Sequence, residues 1–507
     1  MSAQDSPLLD VAIVGSGFSG LCMAIKLKEA GIHNIRILEK ATEVGGTWRE
    51  NTYPGAACDV QSHLYSYSFA GKADWSHVFS GWEEIQNYIL DCATRYRLKD
   101  HIQFNTTVTG AQFSEQDGCW LIATEGGEPV RARCLVLGTG PLHVPAIPAI
   151  PGLENFTGEV FHSSRWNHDY DLSGKTIASI GTGGSAIQYV PEVAKQAAKL
   201  HVFQRTPAWV MPRNERAYTR LEKVLFRKVP LSRKAYRSML YWINESRVTL
   251  MLNPRIARLM EGMARLHLRF KVKDPVTRQK LTPDYTIGCK RILISNQYYP
   301  AFNRDNVELV TDGIQAIREN SIVTADGRER PVDAIILGTG FVADPCQYMK
   351  HFPITGLNGQ RLLDTWKDGA EAYLGMSVSG FPNLFQMVGP NTGLGHNSMI
   401  FMIEAQSRYI VDAIQHLKAR GAGYMDIRAD VQRDFNTGLQ KKLVGTVWQT
   451  GCQSWYKRAD GKNFTLWPGT TFRYQWATRK INTANYTWKE KVDINTKTPT
   501  KAAVTEY

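Results

Sequence analysis

The stretch "LLDVAIVGSGFSGLCMAIKLKEAG", residues 8–31, decides the fold. It has the pattern of a short apolar strand, a tight turn and an amphipathic helix. Gly15, Gly17 and Gly20 fit G-x-G-x-x-G, whose glycines let the backbone approach a pyrophosphate at a helix N-terminus. "IRILEK" then supplies a second strand ending at Glu39, whose carboxylate can accept hydrogen bonds from ribose hydroxyls. This order predicts a dinucleotide-binding domain.

A second unit repeats the pattern in "KTIASIGTGGSAIQYVPEVAKQAAKLHVFQRTP", residues 175–207, with Gly181 and Gly183 in its turn. The strand that follows ends at Arg205 and Thr206 instead of an acid. A carboxylate there would repel a 2'-phosphate, whereas a guanidinium can bind it. The second site is therefore predicted to bind NADP and not NAD, and two such units indicate one flavin site and one nicotinamide site.

Three further segments indicate how the two units connect. "LVLGTG" (135–140) and "IILGTGF" (335–341) are strands that run into small-residue turns, as expected where the chain passes between nucleotide domains. The strand "NLFQMVG" (383–389) and the helix that starts at Met399 are typical of the closing element of a flavin domain, and the N-terminus of that helix could face the flavin.

The predicted fold class is therefore α/β, with two Rossmann-like dinucleotide-binding domains. We expect residues 1–143 to form the first part of an FAD-binding domain and residues 144–340 an NADP-binding domain. A helical insertion is expected at about 213–285, and residues 341–507 are expected to complete the FAD domain and add a C-terminal segment.

The formal charge of +13 is concentrated in one region. Residues 213–291 contain 20 Lys and Arg against 6 Asp and Glu, a net +14, so the rest of the chain is near neutral. The same region has helical apolar spacing, so we expect a solvated helical layer, with peripheral membrane contact as the less favoured alternative. No nucleic-acid partner is expected.

Other bulk properties favour an ordinary cytoplasmic enzyme. No apolar run approaches the roughly 20 residues of a membrane span, and no signal peptide is recognisable. The eight cysteines are scattered without a C-x-x-C pair, so neither a zinc site nor a disulfide framework is expected.

The segment "FTGEVFHSSRWN", residues 156–167, resembles the fingerprint F-x-G-x-x-x-H-x-x-x-W of the Baeyer-Villiger monooxygenases, a group of class B flavoprotein monooxygenases. Phe156, Gly158, His162 and Trp166 match it. Related N- and S-oxygenating flavin monooxygenases end the motif in Tyr or Phe, so Trp166 separates the two subgroups. Asn167 stands where the family usually has Pro or Asp.

Three other segments are similar to motifs of the same family. They are "GGTWRENTYPGAACD" (45–59), "CKR" (289–291) and "QSWYKRADGKN" (453–463). The resemblance thus extends from about residue 11 to residue 463, and it leaves out the helical insertion and the last forty or so residues.

The resemblance implies an NADPH- and O2-dependent enzyme that inserts one oxygen atom beside a ketone carbonyl through a C4a-peroxyflavin. The product is an ester or lactone, and sulfoxidation can accompany it. The apolar insertion favours aliphatic or alicyclic ketones. The resemblance gives Arg291, oriented by Asp59, the role of stabilising the anionic oxygen species; the alternative is that the two form a structural ion pair.

The resemblance also implies two sets of cofactor contacts. The FAD set is Gly15, Gly17, Phe18, Ser19, Gly20, Glu39, Lys40, Gly46, Thr47, Trp48, Asp59, Tyr65, Val108 and Met399. The NADP set is Ala57, Cys58, Asp59, Thr182, Gly183, Gly184, Ser185, Gln188, Arg205, Thr206, Lys290, Arg291 and Trp455. No metal ligands are expected. For His162 and Trp166 we expect a hinge role, in which they exchange hydrogen bonds as the nicotinamide moves.

Three other functions stay open at this point. An N- or S-oxygenating monooxygenase has the same fold and needs no arginine beside the flavin. A pyridine nucleotide-disulfide reductase also has two such domains, but it needs a redox cysteine pair, and Cys58 stands alone in its region. A flavin- and NADPH-binding protein without oxygenation is the alternative from another class.

Overall fold

The computed structural model describes residues 7–490 of the chain. The strands, in chain order, are β1 Leu9–Val14, β2 Ile35–Leu38, β3 Ile102–Gln103, β4 Val108–Ser114, β5 Cys119–Thr124, β6 Val130–Leu137, β7 Glu159–His162, β8 Thr176–Ile180, β9 Lys199–Phe203, β10 Val210–Met211, β11 Leu293–Ile294, β12 Val307–Val310, β13 Ile314–Arg318, β14 Ser321–Thr324, β15 Glu329–Pro331, β16 Ala334–Leu337, β17 Ile354–Thr355, β18 Leu384–Gln386, β19 Ala422–Ile427 and β20 Tyr486–Glu490.

The helices are α1 Phe18–Glu29, α2 Thr47–Glu50, α3 Trp82–Arg95, α4 Ala186–Gln196, α5 Arg220–Lys228, α6 Pro230–Ser246, α7 Val248–Leu252, α8 Pro254–Lys271, α9 Pro275–Lys280, α10 Tyr298–Ala301, α11 Pro345–Tyr348, α12 Leu362–Thr365, α13 Met399–Ala419, α14 Ala429–Leu443 and α15 Thr471–Ala477. None of the helices between residues 7 and 490 combines the length and apolar character needed to cross a membrane.

The first large sheet has the order β17-β4-β5-β6-β1-β2-β3, and β18 pairs with β6. β1 is parallel to both β2 and β6, and β18 is parallel to β6. The apolar residues of β1 and β6 are buried because helices α1, α3 and α13 pack on one face of the sheet, and residues 349–381 pack on the other. The sheet therefore combines strands from the beginning of the chain with β17 and β18 from its last third.

The second large sheet has the order β12-β9-β8-β16-β7, and all its pairs are parallel. Its apolar strands pack against α4 and α10, with Val190, Val193 and Tyr299 in that core. The predicted α/β class with two Rossmann-like sheets is confirmed. Helices α5 to α9 interrupt this unit between β10 and β11, in the region where the sequence predicts a helical insertion.

Candidate active site

The two glycine turns have matching geometry at the carboxyl ends of β1 and β8. Gly15 has φ +96°, and a Cβ placed on it would lie 2.9 Å from the carbonyl oxygen of Gly138. Gly181 has φ +108°, and a Cβ on it would lie 2.4 Å from the carbonyl oxygen of Gly338. Side chains are excluded at both positions because each turn packs directly on a second glycine turn. The "LGTG" segments thus support the two nucleotide turns.

Each glycine turn leads into a helix whose first amides are free to bind an anion. α1 begins at Phe18, followed by Ser19, and α4 begins directly after Ser185. Within the described part of the chain, no side chain caps either helix. Uncapped N-terminal amides together with the helix dipole favour phosphate groups. Gly183 and Gly184 have little around them, so the second turn is open to a ligand.

Glu39 lies at the end of β2, beside the first turn. Its carboxylate is buried and accepts hydrogen bonds from the backbone N–H and hydroxyl of Ser16, at 2.8 and 2.6 Å. Arg49 Nη1 lies 3.3 Å from the other carboxylate oxygen. The segment before Val108 also runs past Glu39, because Thr106 donates its backbone N–H to the Glu39 carbonyl. Lys40 follows Glu39 and is exposed.

Aromatic side chains form one wall next to this turn. Trp48 Nε1 donates a hydrogen bond of 3.2 Å to the Tyr65 hydroxyl, and their rings meet edge to face. Tyr65 also packs edge to face on Phe18. Burial raises the pKa of the Tyr65 hydroxyl, so it stays neutral. Gly46, next to Thr47, approaches Gly17 so closely that a Cβ would lie 3.2 Å from the Gly17 Cα.

Arg291 and Asp59 form an ion pair that joins the two halves of the molecule. Arg291 Nη2 donates a hydrogen bond to Asp59 Oδ2, although 232 residues separate them. The Asp59 carboxylate raises the pKa of the guanidinium above its already high value, so Arg291 stays cationic. The Arg291 side chain is 45% exposed, so the fixed positive charge is open to a ligand.

Lys290 and Arg205 place two positive charges near each other. Burial lowers the pKa of Lys290, and the charge of Arg205 lowers it further, while Asp284 opposes the shift. Thr182 donates a hydroxyl hydrogen bond of 3.1 Å to the Thr206 carbonyl, which brings the second glycine turn next to Arg205. Two like charges that interact in this way repel each other, and a bound anion would relieve that repulsion.

Gln188 connects α4 to the loop that carries Asp59. Its Nε2 donates to the Ala57 carbonyl at 2.9 Å, and its Oε1 accepts from the Tyr53 hydroxyl at 2.9 Å and from the Ala57 amide at 3.3 Å. Cys58 is buried in this loop, and burial raises the pKa of its thiol, which makes it a poor nucleophile. The second nucleotide unit is thus anchored to the first beside the ion pair.

The fingerprint segment lies at the connection between the two units. His162 ends β7, where its Nδ1 accepts the Ser164 N–H at 3.1 Å and its Nε2 donates to the Gly340 carbonyl at 2.9 Å. Burial lowers the pKa of His162, in agreement with this neutral tautomer. Trp166 packs on Phe161 and Tyr189.

Two chain segments pass between the units here, and they pair with each other. Val342 N–H donates to the Val144 carbonyl and Ala146 N–H to the Gly340 carbonyl, both at 2.9 Å. Gly158 is required because a Cβ would lie 2.3 Å from the Asp333 carbonyl oxygen, and Phe156 is buried in the core beside it. The fingerprint therefore fixes the second sheet to the paired connection.

The model for the family described as flavin-binding monooxygenase-like matches residues 9–349. A Baeyer-Villiger monooxygenase of Pseudomonas aeruginosa is 47% identical over 494 residues, covering 96% of this chain and 93% of that protein. One of Streptomyces coelicolor is 45% identical over 479 residues, covering 94% and 92%. The chain belongs to the Baeyer-Villiger monooxygenase family.

Solved structures agree with this family. The crystal structure of OTEMO in complex with FAD and NADP superposes with a TM-score of 0.87 at 28% identity, and an oxidized steroid monooxygenase bound to NADP with 0.85 at 30%. Each comparison covers 96% of this chain and 100% of the other. The predicted family, enzyme class and pair of cofactors are confirmed.

The residues present fit both cofactors. The Gly15 and Gly181 turns form cradles that any side chain would fill, and each opens on uncapped helix amides. The carboxylate of Glu39 suits a ribose, whereas the paired cations Arg205 and Lys290 suit an additional phosphate. The first turn thus matches FAD and the second NADP.

Some predicted contacts have no direct link to these groups in the structure. Val108, at the start of β4, pairs with Thr124 of β5. Met399 starts α13, which Ser398 caps with its own hydroxyl, so the N-terminus of this helix is less free than expected. Trp455 is exposed and packs on Tyr456. Their cofactor roles stay predictions.

No disulfide framework is expected from the sequence, but one pair of cysteines is bonded. Cys289 and Cys452 are bonded, with their Cα atoms 6.2 Å apart and 163 residues between them. Scattered cysteines without a short spacing motif do not reveal such a long-range pair. The bond attaches the segment 452–456, and with it Trp455, to the loop of Lys290 and Arg291.

Arg213 has a role that the sequence does not reveal, since there it only begins the basic insertion. Its Nη2 lies within hydrogen-bonding distance of the Cys58 and Phe79 carbonyls, at 3.4 and 3.3 Å, and its guanidinium lies over the Phe79 ring. Arg213 therefore holds the loop that presents Asp59. Within a run of arginines no sequence pattern distinguishes it.

Proposed function

We propose that this chain inserts one oxygen atom of O2 between the carbonyl carbon and a neighbouring carbon of an aliphatic or alicyclic ketone. One ketone, O2, NADPH and a proton give one ester or lactone, NADP and water, so the electrons of NADPH reduce the second oxygen atom. The observation that carries the proposal is the ion pair of Arg291 and Asp59, a fixed cation open to ligands between the two nucleotide cradles.

The chemistry that FAD supplies when bound is the activation of O2 with electrons taken from NADPH. The protein has to hold the cofactors, balance charge and exclude water. The turn of Gly15, Gly17 and Gly20 would hold the pyrophosphate, Glu39 the ribose, and Trp48 with Tyr65 would pack around the ring system.

Arg291 would act on the charge that develops during oxygen insertion. Negative charge forms on oxygen when the carbonyl carbon is attacked, and a cation already held in place stabilises it without reorganisation. Asp59 would hold the guanidinium in one orientation through its hydrogen bond. Because the Asp59 carboxylate raises the pKa of a guanidinium that is already cationic, the contribution of Arg291 does not depend on a proton transfer.

Arg205, Thr206 and Lys290 would bind the 2'-phosphate of NADPH. Arg205 and Lys290 are close enough to perturb each other, and a dianionic phosphate relieves that repulsion. Gln188 would keep the NADP unit, proposed at residues 144–340, in register with the FAD unit, proposed at residues 1–143 and from 341 onward.

A panel of linear, cyclic and aryl ketones, supplied with NADPH or NADH, tests this function. Products are identified by gas chromatography with mass spectrometry, and an aryl alkyl sulfide is included. We expect esters or lactones from aliphatic or alicyclic ketones, with NADPH strongly preferred. Oxidation of the sulfide without any ester from the ketones would contradict the proposal and favour an S-oxygenating enzyme.

A further inference from the structure

Helix α8 of the insertion has its large apolar residues on the outside. Leu259, Met263, Leu266 and Phe270 are 74%, 59%, 52% and 77% exposed. Their spacing of four, three and four residues places them along one line of the helix, about 16 Å long. Four large side chains in one exposed line exceed the scattered apolar residues that a protein surface usually has.

The opposite face of the same helix already makes the contacts with the core. Ala257, Ala264, His267 and Leu268 are buried there, and Met260 packs against the same core. An amphipathic helix that only covers a core needs one apolar face. Burial inside this chain therefore does not explain the outer line, which we call the α8 stripe (Leu259, Met263, Leu266 and Phe270).

The α8 stripe is bordered by positive charge. Exposed Arg255, Arg258, Arg265 and Arg269 follow one side of it, and Lys271 and Lys273 continue past its end. From Pro254 to Lys273 the acid is Glu261, which is half-buried and accepts the Ile287 N–H at 3.1 Å. The charge next to the stripe is therefore uncompensated by an exposed acid on that helix.

The preceding corner between α5 and α6 has the same composition. Leu221, Leu225 and Leu231 are exposed there. The exposed basic residues of this corner are Arg220, Arg227, Lys228 and Lys234. Its acid, Glu222, is bonded to Arg216 and to Thr219. Arg227 pairs with Asp74 at 3.7 Å. Exposed apolar side chains next to basic residues thus recur along the insertion.

We propose that the α8 stripe docks the enzyme on the surface of a bilayer that contains anionic lipids. The apolar side chains would enter the boundary between headgroups and acyl chains, while the flanking arginines would bind lipid phosphates. Binding to such a surface uses the exposed apolar side chains and the positive charges together. The proposal does not depend on the reaction that the enzyme catalyses.

Charge favours a lipid surface over a second copy of this chain. A symmetric dimer through α8 would place the arginine row of one copy close to that of the other, with Glu261 too buried to compensate. A nucleic acid would match the arginines but would leave the apolar line without a partner.

Co-sedimentation of the full-length, FAD-loaded protein with vesicles tests the proposal. One set of vesicles is phosphatidylcholine, and the other is phosphatidylcholine mixed with phosphatidylglycerol. We expect binding to the mixed vesicles at low salt, weak binding to phosphatidylcholine alone, and a loss of binding as salt screens the arginines. No binding to the mixed vesicles at low salt would overturn the proposal.

Variants separate the contribution of the apolar side chains from that of the arginines. Leu259→Ser combined with Phe270→Ser should lower the partition coefficient at least about tenfold, and Arg258→Ser with Arg269→Ser should remove the preference for phosphatidylglycerol. The control is Ile147→Ser with Val444→Ser, which removes two other exposed apolar side chains and should bind like the parent. FAD content and turnover of a water-soluble ketone, unchanged in all three variants, confirm folding.

Two results would contradict the lipid assignment even if the parent protein binds vesicles. Equal binding by the parent and the Leu259 and Phe270 variant would place the contact elsewhere. Light scattering that shows a parent dimer dissociating in this variant, with vesicle binding unchanged, would make the α8 stripe an interface between copies.

Discussion

His162 Nε2 donates a hydrogen bond to the carbonyl oxygen of Gly340, 178 residues later in the chain. The bond attaches the end of β7 to the paired segments that connect the two nucleotide units. Because Nδ1 accepts the Ser164 N–H, the ring is held as one neutral tautomer between two backbone groups. A residue in this position can control how the units move relative to each other.

Replacing His162 should therefore uncouple the reaction. In His162→Ala the connection loses its bond to β7, so NADPH should still be oxidised while less ester forms per NADPH. The ratio of ester formed to NADPH consumed measures this. His201→Ala is the matched control, since His201 is also buried and bonded, to Glu308, but lies away from the connection. The hinge role would be contradicted if His162→Ala formed as much ester per NADPH as the parent. It would also be contradicted if the ratio fell equally in both variants.

The proposed phosphate site predicts a change in cofactor preference. Arg205→Ala and Lys290→Ala should each lower kcat/KM for NADPH by about 10- to 100-fold, because each removes a charged hydrogen bond worth about 1.5–3 kcal/mol. The value with NADH should change little. Steady-state kinetics with NADPH and with NADH measures both values. The control is Arg304→Ala, which removes an exposed arginine of the same unit. Equal losses with NADPH and NADH would disprove the assignment.

The disulfide predicts that stability depends on the redox state. Cys452→Ser should lower the free energy of unfolding by about 2–5 kcal/mol under oxidising conditions, since the bond closes a loop of 163 residues. Reductant should lower the Tm of the parent to that of the variant and leave the variant unchanged. Cys346→Ser, at a free cysteine, should respond to reductant like the parent. A parent Tm that reductant does not change would mean that the bond is absent.

The buried carboxyl of Asp426 in β19 predicts a pH dependence. Burial raises the pKa of Asp426 to about 6, although it accepts hydrogen bonds from the Gly380 N–H. The raised pKa means that the folded protein binds the proton of Asp426 more tightly than the unfolded chain does. The contribution of this group to the free energy of unfolding is therefore full below its unfolded pKa of 3.8 and is lost as the pH rises through about 6.

Asp426→Asn should remove that loss. The variant should be more stable than the parent at pH 8, by up to about 3 kcal/mol, and the difference should disappear near pH 4. Chemical unfolding across this pH range measures it. Asp434→Asn, at an exposed aspartate, should show no such trend. An advantage of Asp426→Asn that is constant with pH would contradict the raised pKa.

The parts of the fold that could be predicted are those fixed by local spacing. Strand, glycine turn and helix follow within thirty residues, so Gly15 and Gly181 identify both nucleotide units. The contacts that assemble the site are long-range: the Cys289–Cys452 bond and the anchoring of Ala57 by Gln188 join segments that no spacing relates. Periodicity likewise predicts that α8 has an apolar line, but not that this line faces outward, because tertiary packing decides which side is buried.

The central claim is that a fixed guanidinium beside the flavin site stabilises the charge that develops during oxygen insertion. Replacing Arg291 tests this claim most directly. We predict that Arg291→Ala keeps its FAD and its reduction by NADPH but forms ester from a ketone at least about 100-fold more slowly. Asp59→Asn should reduce the rate less, because the cation remains. Ester formation by Arg291→Ala at the parent rate would contradict the claim and leave the pair with Asp59 as a structural ion pair.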